Sequence, residues 1–395
     1  MQKPLPSDRR DTFHLGPRKR LLAALLSLVA SVLRCCNAWF GPRAVGKKVV
    51  LLEPFGLGDI ISLQPLLNCL LERGYQVVLC GNQAWRALYP PRAGFVWLDA
   101  GLPWGTHDEK AKYRFSAYVS PAFRSFLRQF GNEASGGIGV DTRGDIRSTI
   151  ALYLARCSRV TSLSHYIGSD VRVPSIAAGI VPFSPGLRRW EMNMRFLVAI
   201  GAGTIPDSAP PPSFPHLKTS MKGGVIGIIP IAPWEGKLWV ASRWAEVITG
   251  LRKEGFECQC LCGPGQEMQA REQAGDVAVT ECKSIEDWAR ALCDCGLVVT
   301  LDTGPMHLAD ALGIPVVALF GCSILPLWAP SGPRSVVIAH QDEPEFMICQ
   351  PVEKNSEIGR KAMERNSACE VLAAARNCLR ACFKNGFASN AQKGD

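Results

Sequence analysis

"LVVTLDTGPMHLADALGIPVVALFG", Leu297–Gly321, decides the fold. An apolar run ends in Asp302-Thr303-Gly304-Pro305, a short amphipathic helix follows, and a second apolar run closes on a glycine. Strand, turn, helix, strand is the βαβ unit of a parallel sheet. At its turn, Thr303, Gly304 and a helix opening with Pro305 leave unpaired N–H groups and a positive helix dipole at a strand's end, which makes an anion site. Pro305 suits that first turn because no N–H is needed there, and Gly304 keeps the approach open. Asp302 repels phosphate, so it is better suited to accept hydrogen bonds from hydroxyls beside it. His307 either donates to the anion or packs structurally. A sugar attached to a diphosphate presents both features together.

The same rhythm runs outward from this unit. From Lys47, "KKVVLLE" reads as a buried strand, "PFGLGD" as a turn and "IISLQPLLNCLLERG" as an amphipathic helix ended by Gly74. "QVVLC" and "GFVWLDA" read as strands, "SPAFRSFLRQFG" as a capped helix, and "GIGVDTRGD" as a strand and turn leading into a further helix. A Pro-rich stretch over residues 203–218 interrupts the alternation and reads as a linker. The pattern then restarts with "GGVIGIIP", "SRWAEVITGLRKEG", "FECQCLCG" and "SIEDWARALCDCG". Two doubly wound α/β domains facing across a cleft follow, with ligands expected at the carboxyl ends of the strands. The boundaries drawn are 1–46 for a basic and apolar extension, 47–202 for the first domain, 203–218 for the linker, 219–340 for the second domain, and 341–395 for a C-terminal helical segment and tail.

Composition bounds the function. The 395 residues are 47% hydrophobic and 20% charged, which is the balance of a globular chain. A formal net charge of +9 favours anionic partners, but the basic residues are scattered and form no recognition helix, so nucleic acid is not expected. Sixteen cysteines contain no CxxC pair and no accompanying His cluster, so neither a zinc site nor a disulfide framework is expected. Cys258, Cys260 and Cys262 alternate like one face of a strand, and Cys293 and Cys295 are read as ending a helix; buried free thiols imply a reducing, cytosolic setting. Near the start, Leu21–Leu33 form an apolar run between Arg18-Lys19-Arg20 and Arg34, shorter than the ~20 residues of a membrane span. It reads as a helix on an anionic membrane surface or on the protein's own surface.

Three other strand-end turns carry candidate chemistry. In "EPFGLGDI", Gly56 and Gly58 let the backbone turn tightly, and Asp59 is placed to cap the following helix, to act chemically, or both. The third glycine of a dinucleotide fingerprint is missing and the second strand ends in Cys80-Gly81 rather than an acid, so a nicotinamide dehydrogenase is disfavoured. Lys237 lies in a polar loop before a helix, where it can meet a phosphate or stay solvated. Glu267, after "CGPGQ", can accept ribose hydroxyls or start a helix.

Together these stretches resemble glycosyltransferase family 9, the family of ADP-heptose:lipopolysaccharide heptosyltransferases. The opening stretch looks like its signature, "VVLLEPFGLGDIISLQPLL" like its first Gly-Asp turn, "VDTRGDIRSTIALYLA" like its Asp-x-x-Gly-x-x-Arg-Ser segment, and "GKLWVASRWAEVI" like its lysine-to-tryptophan loop. The resemblance spans roughly residues 47–330. It implies a GT-B fold, with the acceptor on the N-terminal domain and the nucleotide sugar on the C-terminal one, and inverting transfer without a metal or cofactor. Asp59 matches the family's general base and Lys237 the lysine that neutralises the diphosphate. Glu267, Asp302, Thr303, Gly304, Pro305 and His307 fall on the donor side, and Gly56, Gly58, Arg143 and Arg147 on the turn or acceptor side. The implied partners are a nucleotide-sugar donor, a lipid-linked glycan acceptor and the inner face of the cytoplasmic membrane. Ala232-Pro233 before the lysine and Glu53-Pro54-Phe55 in the first turn depart from the family's usual residues. A nucleotide-sugar epimerase and a catalytically silent sugar-nucleotide-binding protein are the alternative readings.

Overall fold

A computed structural model describes residues 17–43, 46–105, 114–164, 177–184, 186–220, 223–341 and 353–384. The first sixteen residues of the extension, and residues 342–352 and 385–395 of the C-terminal segment, lie outside the described residues.

Strands β1 (Lys48–Glu53), β2 (Gln76–Gly81), β3 (Phe95–Asp99), β4 (Ile138–Asp141), β5 (Arg159–Leu163) and β6 (Gly179–Val181) form one sheet in the order 3-2-1-4-5-6. Strands β7 (Val225–Ile229), β8 (Glu257–Cys262), β9 (Ala278–Glu281), β10 (Cys295–Leu301), β11 (Val316–Phe320) and β12 (Val336–Ala339) form the second in the order 12-11-10-7-8-9. Every pairing is parallel. Central strands read as unbroken apolar runs because helices cover both faces: Val49, Val50, Leu51 and Leu52 of β1 are all fully buried. Each sheet reverses its winding between its first and fourth strands, β1 and β4 in one, β7 and β10 in the other. Such a switch point opens a crevice at the strands' carboxyl ends.

The segment after β1 is not one helix. It breaks at Ser62-Leu63 into Leu57–Ile61 and Gln64–Glu72, because Pro65 has no N–H to continue the ladder. Cys295 likewise opens β10 instead of ending the helix before it. Most of the described cysteines are buried free thiols; burial pushes Cys157, for example, up to about 12, which leaves it inert.

Two stretches outside the alternation are well tied. In the Pro-rich stretch, Phe214 is buried against Tyr89 with ring centroids 5.7 Å apart, while its N–H donates to Ala311 O at 3.3 Å. The stretch therefore touches both sheets' helices. The C-terminal helices Glu353–Glu364 and Ala368–Lys384 pack on the second sheet. Trp239 Nε1 donates to Asn366 O at 3.1 Å, and Asn366 Nδ2 donates to Phe320 O at 3.1 Å. Gly359 lies so close to the Glu235–Lys237 turn that a Cβ there would meet Gly236 O at 2.5 Å. This C-terminal helix thus fixes the turn that carries Lys237.

Candidate active site

Each switch point holds a carboxylate paired with a cation. At the first, Asp59 follows β1 and Arg143 follows β4; Arg143 Nη1 lies 2.7 Å from Asp59 Oδ1. At the second, Lys237 follows β7 and Asp302 follows β10; Lys237 Nζ lies 2.6 Å from Asp302 Oδ2 and 3.2 Å from its main-chain O. Ser323 Oγ also donates to Asp302 Oδ2.

Gly56, not Asp59, is the N-cap of this helix, and Asp59 lies in its first turn. Its carboxylate turns instead to Arg143, with Arg189 Nε at 3.6 Å. Arg143 also stacks on Phe55, its guanidinium carbon 4.0 Å from the ring centroid. Behind Asp59 stands Glu53, completely buried at the end of β1. Thr142 Oγ1 donates to Glu53 Oε2 at 2.7 Å, and Arg189 Nη2 lies 3.4 Å from the same oxygen. Burial, and then the negative charge of Asp59, hold the Glu53 carboxyl up to about 7 against the two guanidiniums and the Thr142 hydroxyl.

On the other side, Thr303 is the extended N-cap of the Gly304–Ala311 helix, with Pro305 in its first turn. This helix meets Leu57–Ile61 directly, and glycine makes the contact possible. A Cβ on Gly304 would sit 2.7 Å from Leu57 Cβ, and one on Gly58 would sit 2.6 Å from His307 Cδ2. His307 is held below its ordinary pKa, chiefly by burial, with Asp302, Asp310 and Asp59 opposing. Its ring packs edge-on against Trp328 at 6.1 Å. A half-buried imidazole, held toward its neutral form, thus bridges the two strand-end turns.

Beside this contact lies a cleft of about 1380 Å³. Gly56, Leu57 and the aromatic residues Trp85 and Trp97 wall it from the first sheet; Pro264, Thr303 and Pro305 are among the residues facing them from the second. Of the sequence candidates, Gly56, Thr303, Gly304 and Pro305 line this cleft; Gly58, Asp59, Arg143, Lys237, Asp302 and His307 stand at the two turns beside it, and Glu267 and Arg147 are at neither place. Glu267 is more than half exposed and pairs with Arg271 at 2.7 Å along its own helix, while its neighbour Gln266 faces the cleft. Arg147 pairs with Asp145 at 2.7 Å. Glu53, Arg189 and Ser323 were not legible as site residues. A glutamate closing an otherwise apolar strand is a signal for the first; nothing local marks the other two.

The architecture and its paired switch points define a two-domain protein of the GT-B class. Residues 206–355 match the model of glycosyltransferase family 9 (heptosyltransferase). Over 163 residues it is 24% identical to lipopolysaccharide heptosyltransferase 3 of Escherichia coli, covering 35% of this chain and 46% of that protein. In such sequence matches the chain spans less than half of the curated relatives' length. The fold is shared much more widely. A family 9 glycosyl transferase from Veillonella parvula superposes with a TM-score of 0.61 at 17% identity, covering 86% of this chain and 99% of that one. The E. coli heptosyltransferase WaaC, solved with ADP, gives 0.59 at 16% identity, covering 79% and 99%.

Proposed function

We propose that this protein is an inverting glycosyltransferase that moves a heptose from ADP-heptose onto a hydroxyl of a lipopolysaccharide core or related envelope glycan. The facing of the two switch points carries this reading: a carboxylate on one side, a lysine and a helix N-terminus on the other. In the reaction an acceptor oxygen bonds to the anomeric carbon, the bond from that carbon to the diphosphate breaks, and ADP departs with the electron pair. Asp59 takes the acceptor proton as its oxygen attacks. Lys237 and the N–H groups at the start of the Gly304–Ala311 helix meet the charge that develops on the diphosphate, a role that otherwise falls to a metal. The acceptor is assigned to residues 47–202 and the donor to 219–340. The names of the relatives support the sugar and the acceptor class.

The test is selective stabilisation. A ligand present at 100 times its Kd, and bound only by the native state, adds ~2.7 kcal/mol. ADP-heptose is expected to raise the melting temperature by several degrees, while UDP- and GDP-sugars at the same concentration leave it in place. Equal shifts for all three, or none, would remove ADP-heptose as the donor.

The extension supports a place at the membrane surface. In the Pro17–Phe40 helix, Ala30 is buried against Ile146 and Ile150, whereas Leu21, Leu25, Leu28 and Val32 face outward and Trp39 and Phe40 are over 80% exposed. Among the described residues no helix is long and apolar enough to cross a membrane. An outward apolar stripe, flanked along the sequence by Arg18-Lys19-Arg20 and Arg34, suits an anionic interface. The full chain is expected to bind phosphatidylglycerol vesicles, and Leu25→Glu with Leu28→Glu to release it without lowering its melting temperature. Undiminished vesicle binding by that variant would eliminate the stripe as the contact.

A further inference from the structure

We propose that Glu53 is a positioning residue for the transfer: a second, buried carboxylate that acts through Arg143 and Arg189 to set the orientation and basicity of Asp59. This rests on the reading of Asp59 as the base. Glu53 is fully buried, so it cannot touch an acceptor. It does share both of Asp59's cations. Arg143 Nη1 lies 2.7 Å from Asp59 Oδ1 and 4.0 Å from Glu53 Oε1. Arg189 places Nε 3.6 Å from Asp59 Oδ1 and Nη2 3.4 Å from Glu53 Oε2.

Both guanidiniums are otherwise fixed. Arg189 Nη2 donates to Thr142 O at 2.8 Å, and its Nη1 donates to Asn193 Oδ1, whose amide in turn donates to Ser62 Oγ at 2.9 Å. Arg143 sits over the Phe55 ring. With both acids ionised, the two carboxylates and two guanidiniums make a neutral unit. Without Glu53, Asp59 would face two cations alone and be held ionised too firmly to take a proton well.

The groups facing Glu53 are Asp59 from the Leu57–Ile61 helix, Thr142 and Arg143 from the turn after β4, and Arg189 from the Arg189–Ala199 helix, with His307 beyond Asp59. Because Glu53 titrates at about 7, raising the pH through that point adds a negative charge beside Asp59. Asp59 then holds a proton more strongly and is the better base, so turnover rises. Below that point the gain is lost.

The experiment uses the full chain and ADP-heptose, with water in place of the acceptor. Water oxygen bonds to the anomeric carbon, ADP leaves, and the proton goes to Asp59. The wild type is expected to show a step in kcat near pH 7. Glu53→Gln should lose the step and run slower, by about threefold per pKa unit of basicity removed from Asp59 if the proton is half transferred, with KM unchanged. Thr142→Val removes a hydrogen bond to the ionised form and should move the step to higher pH. A Glu53→Gln profile that keeps the wild-type step overturns the proposal. If that variant does not fold, an unmoved step in Thr142→Val does so instead. Normal hydrolysis by Asp59→Asn would overturn the base itself, whereas an inactive Asp59→Asn beside a wild-type-like Glu53→Gln would remove Glu53 alone. A readout without substrate is the infrared C=O band of a buried carboxylic acid. Asp141, also buried and also held up to about 7, contributes to that band, so the band's amplitude near pH 7 should fall in Glu53→Gln without vanishing; a spectrum identical in the two proteins overturns the assignment.

Discussion

Replacing Asp59 by asparagine is expected to lower turnover by ~10²–10⁴-fold while leaving nucleotide-sugar affinity nearly unchanged. An acceptor hydroxyl is a poor nucleophile until its proton is taken, and asparagine cannot take it. The donor turn lies on the other sheet, so its binding groups stay intact. Stability should fall as well, because Asp59 is not a helix cap that asparagine could replace. It is the 2.7 Å partner of Arg143, whose side chain is 11% exposed. Removing one partner of a well-buried pair costs ~3–5 kcal/mol; here Glu53, 4.0 Å from the same guanidinium, remains to compensate in part. Glu53 also becomes more acidic once the neighbouring negative charge is gone, which keeps it ionised opposite the arginines. A loss nearer ~1–3 kcal/mol is therefore expected. Turnover at saturating donor and acceptor, with urea unfolding alongside, separates the two effects. Near-normal turnover by a folded Asp59→Asn protein would sink the assignment and favour a binding protein without catalysis.

Lys237→Ala is expected to lower kcat/KM by about 10–150-fold, the equivalent of a charge-assisted contact worth ~1.5–3 kcal/mol. The ammonium sits 2.6 Å from Asp302 at the mouth of the Gly304–Ala311 helix, where a diphosphate would gain from both. The mutation also leaves Asp302, which is 6% exposed, with Ser323 but no cation, so some stability is lost. Lys237→Arg keeps the charge and separates the two contributions. It should restore much of the stability but less of the rate, since a planar fork does not reproduce a point charge in a tight turn. If Lys237→Ala melts far lower yet transfers sugar normally once folded, the lysine serves Asp302 only.

The alternation of buried strands and helices, the restart after the Pro-rich stretch, and the strand-to-helix turn at Asp302–His307 are all legible in the sequence. These features are local. Strand burial, helix caps and glycine turns depend on residues a few positions apart, so a linear reading reaches them. The family resemblance came from the same short turns. Pairing across the switch points was decided by the tertiary structure alone. Asp59 meets Arg143 because β1 and β4 lie side by side, and Lys237 meets Asp302 because β7 and β10 do. Arg189 arrives from a helix with no local sign of its destination. Glu53 looked like a departure from a family pattern; only its burial between two guanidiniums shows what balances it. Glu267 looked like a ligand for ribose, yet its helix turns it toward Arg271 and leaves Gln266 on the cleft. Charges act on whatever the fold brings within a few ångströms, and distance along the chain does not record that.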